Sequence, residues 1–121
     1  MGTHQSLKAW QHARVVAVEC AKAAQEFPAH EHNGLADQLR RAGYSAALNI
    51  AEGAARRGTR EYRRFLDVAR ASLHEIEAIL DIAGDLRYLD EATLGRLRER
   101  RDEAARTLYG LIRSLSKGSE K

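Results

Sequence analysis

The sequence predicts an all-α protein that folds as an antiparallel four-helix bundle with up-down-up-down order. Apolar residues make up 44% of the 121 residues, mainly alanine and leucine, and there is only one proline; this composition favours helices over strands. Four segments repeat their apolar residues at steps of three and four, which is the helical period. The connections between them are short, so neighbouring helices are expected to be antiparallel. A chain of this length fits a single domain, residues 1–121.

The first helix is predicted at about residues 6–26. Pro28 ends it, because proline has no N–H and disfavours helix in the residue before it, and Asn33-Gly34 then marks a turn. Cys20, the only cysteine, lies on the apolar stripe of this helix, so we interpret it as a core residue in a reducing, cytoplasmic protein. The stripe consists of Leu7, Trp10, Ala13, Ala17, Cys20, Ala24 and Phe27.

The second helix is predicted at about residues 35–56, and it is apolar on two opposed sides. A turn of about 100° per residue places one apolar set on one side: Leu35, Leu39, Ala42, Ala46, Ile50 and Gly53. Almost opposite lies a second set, the outer stripe: Tyr44, Leu48, Ala51 and Ala55. One bundle covers only one of these sides well, so the outer stripe predicts a subunit interface.

A polar stripe runs between the two apolar sides of the second helix. It contains Ser45, Asn49 and Glu52. Half-buried polar groups must be hydrogen-bonded, so we interpret these residues as a structural network that fixes the register of the helices. A site at a subunit junction is the functional alternative.

Two further helices are predicted at about residues 60–87 and 91–116. Thr59 and Asp90 are the expected N-caps, and Glu61 in the first turn of the third helix suits the helix dipole. The third helix carries the stripe Tyr62, Phe65, Leu66, Ala69, Leu73, Ile76, Leu80 and Ala83. The fourth carries Leu94, Leu97, Ala104, Leu108, Leu111 and Leu115.

Motifs for catalysis, metals or membranes are missing from the sequence. There is no HExxH, GxGxxG or GxxxxGK[ST], and none of the five histidines follows a glutamate by three residues, as the di-iron bundles require. We interpret His30-Glu31-His32 as a solvated loop and His74 as part of a solvated face. Gly2 fits the N-myristoylation pattern without a second membrane signal, and no apolar run reaches about 18 residues. We predict no enzymatic activity, cofactor, metal or membrane partner.

Arginines are concentrated in the middle of the chain. Residues 36–70 contain eight arginines and four acidic residues, whereas residues 71–91 contain one arginine and six acidic residues. Grouped arginines bind phosphates and are a common footprint of nucleic-acid binding. Alternatively, they are solvated or pair with nearby carboxylates at helical spacing. The candidate nucleic-acid-binding residues are Arg56, Arg57, Arg60, Arg63 and Arg64 around the second helix–helix turn, with Arg40 and Arg41 flanking them.

The polar and apolar residues of the second helix carry a family resemblance. QLRRA at residues 38–42, Ser45, NIAEG at residues 49–53 and Arg56 resemble the signature of four-helix-bundle proteins encoded in intervening sequences of bacterial 23S ribosomal RNA genes. Further matches extend from Trp10-Gln11 near the start to about Leu89. The resemblance covers roughly residues 7–90. Two positions depart from the pattern: Ala47 replaces a usual proline, and Ala55 replaces a common glycine. Without the proline, the second helix is expected to be straighter.

The resemblance implies a small cytoplasmic bundle that assembles into a ring-like homo-oligomer, a pentamer, with no known enzymatic activity. The family is also similar to accessory proteins of diversity-generating retroelements, which help a reverse transcriptase handle RNA. The implied partners are therefore further copies of the chain, RNA or DNA, and a reverse transcriptase or ribosomal component.

Two hypotheses for the function follow. The first is a non-enzymatic homo-oligomeric scaffold that binds nucleic acid, RNA in particular, through the arginines. The second is a protein–protein interaction module in which the arginines dock onto acidic residues of a neighbouring copy, such as Glu77, Asp81 and Asp85. Arginines that face solvent together favour nucleic acid, and arginines that each contact a carboxylate favour the module.

Overall fold

The computed structural model describes residues 4–119, so Gly2 and its myristoylation pattern lie outside the described residues. Within this range the chain is helical and contains no strand, and the four helices pack as a bundle. The predicted all-α class is confirmed, and the predicted helix ends differ from the observed ones by at most three residues. The helices are α1 (His4–Ala24), α2 (Leu35–Ala54), α3 (Thr59–Asp85) and α4 (Glu91–Ser119), with a 3-10 turn at Ala29–Glu31 before α2.

The helices enclose one core, because α2 packs against α1 and α3 while α4 packs against α3 and α1. Contacts between α2 and α3 run in opposite sequence order: Ser45 bonds Ser72, and Gly53 lies against Tyr62. Contacts between α3 and α4 do the same, since Arg101 pairs with Glu77 and Arg98 with Asp81. Both pairs of helices are therefore antiparallel.

The first turns of α1 are rotated relative to the predicted stripe. Leu7 is 55% exposed, while the smaller Ser6 and Ala9 face the core. The hydroxyl groups of Ser6 and Tyr62 are hydrogen-bonded to each other inside the bundle. This polar contact turns Ser6 toward the core, whereas the prediction had placed the larger Leu7 there. From Ala13 onward the predicted stripe is buried, including Cys20.

The two predicted N-caps have different outcomes. Asp90 caps α4, because its Oδ1 accepts a hydrogen bond of 2.8 Å from the backbone N–H of Thr93; this bond lowers the pKa of the Asp90 carboxyl group. Thr59 is not an N-cap but the first residue of α3, and Gly58 precedes it with a φ of 84°. A positive φ is easily adopted only by glycine, so Gly58 makes the reversal between α2 and α3.

Candidate functional site

Five arginines surround the turn between α2 and α3, at the end of the bundle that also holds the start of α1. We call this group the basic end: Arg56, Arg57, Arg60, Arg63 and Arg64. Arg56 and Arg57 lie in the turn itself, and the other three are positioned by the first two turns of α3. The structure therefore brings together the five arginines that are closest in sequence.

Three arginines of the basic end pair with carboxylates of the same helical segment. The N–O distances are 2.9–3.1 Å, and all partners are at least partly exposed. Arg63 also donates to Ser116 Oγ on α4 at 2.9 Å. Exposed pairs of this kind contribute only about 0.3–0.5 kcal/mol each to the stability of the fold. They therefore orient the arginines, but a competing ligand can displace the carboxylates. The pairs are Arg56 with Glu52, Arg63 with Asp67, and Arg64 with Glu61.

The other two arginines of the basic end, Arg57 and Arg60, have no carboxylate partner in the described part of the chain. Both side chains are exposed, and within residues 4–119 neither has an acidic group at ion-pair distance. Among the described residues, the five arginines and their three paired carboxylates together carry an excess of two positive charges. The basic end can therefore accept an anionic ligand at Arg57 and Arg60 without first breaking an ion pair.

Phe65 is a component of the basic end that the sequence analysis assigned only to the core. Its ring is half-buried, and the guanidinium carbons of Arg56 and Arg64 lie 4.9 and 5.5 Å from the ring centroid. Such cation–π contacts hold guanidinium groups in place. The signal in the sequence was the position of Phe65 at the edge of its stripe, about 100° from Leu66, within the arginine cluster.

Arg40 and Arg41 do not belong to the basic end. Both lie on α2, about 15 residues before Arg56. This spacing corresponds to about 22 Å along a helix. Both pair with Asp37, at 3.2 and 3.0 Å, and Arg40 also donates to the carbonyl oxygen of His32. The structure thus places Arg40 and Arg41 apart from the basic end, because the rise of α2 separates residues that share one arginine-rich segment of the sequence.

The outer stripe of α2 faces away from the core, as its angular position predicts. Tyr44 is 46% and Leu48 62% exposed, and Ala51 and Ala55 are exposed as well. The register of the α2–α3 contact places exposed Val68 level with Leu48. Val68 thus exposes an apolar side chain on α3 at the level of the outer stripe.

The polar stripe of α2 forms a hydrogen-bond network that reaches α3. Asn49 Nδ2 donates to the carbonyl oxygen and the Oγ of Ser45 at 2.8 and 3.1 Å, and Ser72 Oγ donates to Ser45 Oγ at 2.8 Å. Glu52, predicted with them, lies outside the network and accepts from Arg56. Ser72, missed in the sequence, is the member that joins the helices. In the described part of the chain no buried side-chain polar atom lacks a partner, which fits a structural role.

A family comparison covers most of this architecture. The sequence model of the 23S rRNA-intervening sequence proteins matches residues 5–110. The chain belongs to this family. The match extends past residue 90 into α4 and includes the basic end, the outer stripe and the Ser45–Asn49–Ser72 network. A search of curated proteins found no match.

In this family member, α2 runs uninterrupted from Leu35 to Ala54. Ala47, at the position of the usual proline, is buried, so α2 keeps the backbone donor that proline would remove. Ala55, at the position of the common glycine, is the C-cap residue of α2 and has ordinary right-handed backbone angles. Neither departure therefore requires a distortion of the helix.

The acidic residues proposed as docking points for a neighbouring copy have partners within the chain. Arg98 pairs with Asp81 at 2.8 Å and Arg101 with Glu77 at 3.3 Å, both across the α3–α4 contact. Asp85 lies at the end of α3, on an open groove of about 960 Å³ beside the turn to α4. Two of the three docking points are thus already used to join α3 to α4.

The loop before α2 keeps His30 and His32 exposed, while its glutamate makes hydrogen bonds to the rest of the bundle. Glu31 accepts hydrogen bonds from the backbone N–H of Leu35 at 3.0 Å and from the hydroxyl of Tyr88 at 2.9 Å. The Leu35 bond, then the Tyr88 bond, lowers the pKa of the Glu31 carboxyl group. Its neighbour His30 is exposed, with Nε2 3.4 Å from the Tyr88 hydroxyl.

Two searches of the described residues concern metals and membranes. Residues 4–119 contain no cluster of three or more histidine, cysteine, aspartate or glutamate side chains that could hold a metal ion. In the same range, no helix combines the length and the apolar character that crossing a membrane requires.

Proposed function

We propose that this chain is a cytoplasmic, non-enzymatic, homo-oligomeric scaffold that binds nucleic acid, RNA in particular, through its basic end. The observation that carries the proposal is the pair Arg57 and Arg60, which are exposed and free of carboxylates within the described residues. Guanidinium groups bind phosphate in a bidentate manner. Two such groups beside further oriented arginines suit the closely spaced charges of a nucleic-acid backbone.

The ion pairs of the other three arginines do not prevent phosphate binding. They are exposed and therefore weak and screened by salt, so a phosphate can share or replace the carboxylate. The contacts of Arg56 and Arg64 with Phe65 keep these guanidinium groups near the ligand and reduce the entropy that binding must overcome.

The exposed outer stripe supports self-assembly as the second part of the proposal. Tyr44 and Leu48 expose apolar surface, and Val68 does so at the same level on α3; exposed apolar patches mark interaction sites. By the family resemblance, the assembly is a pentameric ring. A ring repeats the basic end in each copy, and this multivalency raises the affinity for a long polyanion beyond that of one copy. A reverse transcriptase or ribosomal component is the class of protein partner that would share such an RNA.

The second candidate function is a protein–protein interaction module. It is favoured by the carboxylate partners of Arg40, Arg41, Arg56, Arg63 and Arg64, since these arginines are placed to bind acidic groups. Docking onto Glu77 and Asp81 of a neighbouring copy would have to compete with their pairs to Arg101 and Arg98. We therefore place nucleic acid first.

A salt titration tests the proposed function. Affinity for mixed-sequence RNA and DNA is measured from low to physiological salt, and we expect it to fall steeply because each neutralised phosphate releases counterions. The double variant Arg57→Gln/Arg60→Gln should lose most of the binding. The control Arg87→Gln/Arg100→Gln changes the net charge equally at exposed positions outside the basic end and should bind as the parent does. Absence of binding at low salt, or equal losses in both variants, would contradict a site at the basic end.

A further inference from the structure

Two pockets follow one another along the contact between α3 and α4, starting at the basic end, and we call this surface the α3–α4 groove. Its first part is a small pocket of about 190 Å³ whose lining includes Arg60, Arg63 and Ser116. A second pocket, also about 190 Å³, is lined by Arg70, His74, Arg101 and Tyr109 among others. Both pockets lie between the same two helices, and the first shares two arginines with the basic end.

The spacing of the two pockets follows from the register of α3 and α4. Arg63 donates to Ser116 at the first pocket, and seven residues further along α3 the same antiparallel register places Arg70 level with Tyr109. Seven residues correspond to about 10 Å of helix. An extended chain that enters at the basic end can therefore reach the second pocket without leaving the groove.

Positive charge dominates the groove between the two pockets. Arg70 and Arg113 have no carboxylate partner among residues 4–119. Three acidic groups on the same surface are paired with two arginines: Asp67 pairs with Arg63, and Glu77 and Asp102 share Arg101.

Arg101 is a fixed part of the second pocket. Its side chain is only 11% exposed, and it donates to the carbonyl oxygen of Leu73 at 3.2 Å. The wall of the pocket is thus preorganised, while the cations at its rim remain available to a ligand.

Tyr109 provides an exposed aromatic ring on α4, whereas Phe65 at the basic end is half-buried. It is 53% exposed and is the one large apolar side chain that the described part of α4 presents to solvent. The guanidinium carbon of Arg113 lies 5.7 Å from its ring centroid. The outer stripe lies on α2, which does not pack against α4, so self-assembly through that stripe gives no reason for the exposure of Tyr109.

The far end of the groove is acidic. The open groove beside the α3–α4 turn is lined by Asp81, Asp85, Asp90 and Glu91 together with Arg87 and Arg98. A polyanion is repelled there, so the favourable part of the α3–α4 groove runs from Arg60 to His74 and Tyr109.

We infer that a single strand of nucleic acid lies in this groove, with its phosphates at Arg60 and Arg70 and one base stacked on Tyr109. The inference rests on the proposed function and deepens it by naming the form of the ligand. An exposed aromatic ring between unpaired cations is typical of sites that bind single strands, because a base offers its face to the ring only when it is not paired and stacked in a duplex.

The experiment compares one mixed-sequence oligoribonucleotide as a single strand and as a duplex. The parent should bind the single strand more tightly. Tyr109→Ala should weaken single-strand binding by about fivefold to about a hundredfold, the range for loss of one stacked base, while Tyr109→Phe should retain it. Leu86→Ala removes an equally exposed apolar side chain at the acidic end and should have no effect. Light scattering on each variant checks the assembly.

The outcomes separate this inference from the proposed function. If the parent binds neither form, the proposed function fails and the inference with it. If the parent binds and Arg57→Gln/Arg60→Gln abolishes binding, but Tyr109→Ala binds as the parent does or the duplex is preferred, only the single-strand site is overturned. If Tyr109→Ala dissociates the assembly, Tyr109 is a subunit contact, which also overturns it.

Discussion

Gly53 of α2 lies so close to Tyr62 of α3 that a Cβ atom on the glycine would be 2.9 Å from Tyr62 Cδ1 and 3.2 Å from the Tyr62 carbonyl oxygen. The same atom would be 2.9 Å from Cβ of Phe65. The missing side chain therefore allows α2 and α3 to approach each other just before the turn between them. This approach sets the position of Phe65, and with it the two arginines that contact its ring.

Replacing Gly53 by alanine should destabilise the bundle. The backbone and Phe65 Cβ cannot move aside as a side-chain end can, so overpacking should lower the free energy of unfolding by about 1–3 kcal/mol. Gly110→Ala is the matched control: Gly110 lies in α4 with nothing within 4 Å of an added Cβ, and alanine there should stabilise the helix by about 0.5–1 kcal/mol. Urea unfolding measures both. A Gly53→Ala protein as stable as the parent would contradict this close contact.

Introducing a charge into the outer stripe should dissociate the assembly. Leu48→Arg places a guanidinium group in the centre of the apolar surface, where burial without a partner is unfavourable, while the helices remain folded because the side chain is already exposed in the single chain. Ile82→Arg changes a comparably exposed side chain of α3 and should not alter the mass. Light scattering at micromolar concentration measures the mass of the parent and of both variants. A parent mass of 13.5 kDa, that of one chain, would show that no assembly forms.

Acid should destabilise the bundle partly through Glu31. The folded-state pKa of its carboxyl group is lowered, first by the Leu35 N–H bond and then by the Tyr88 hydroxyl. Its stabilising contribution is therefore present above the unfolded-state pKa and is lost as the pH falls through the folded-state pKa. The urea midpoint of Glu31→Gln should fall less between neutral and acidic pH than that of the parent. Glu26→Gln, at an exposed position, should follow the parent; identical pH profiles for Glu31→Gln and the parent would exclude the effect.

The Cys20 thiol should be unreactive in the folded protein. Burial, with a smaller contribution from the charge of Glu19, raises the pKa of this thiol to about 12, and the nucleophilic thiolate is scarce at neutral pH. A thiol reagent should modify the chain only after denaturation. A Gly110→Cys variant, with its added thiol on the exposed surface of α4, should be labelled once while folded. Rapid labelling of the folded parent would contradict the buried position.

Features that lie within one helix could be predicted from the sequence. The four helices, the burial of Cys20 and the opposed positions of the core side and the outer stripe of α2 follow from residue type and from the fixed turn per residue. The grouping of Arg56 to Arg64 was also predictable, because these residues are neighbours along a short turn.

Features that depend on two helices were decided only by the tertiary structure. Ser72 completes the network of Ser45 because α2 and α3 pack at one particular register. In the same way, the register between α3 and α4 places Tyr109 level with Arg70. These registers follow from side-chain packing, such as the contact of Gly53 with Tyr62, which no periodicity of a single segment contains. Contacts between residues distant in sequence therefore determine which arginines share a surface with an aromatic ring, whereas the local sequence determines only which helical face each residue occupies.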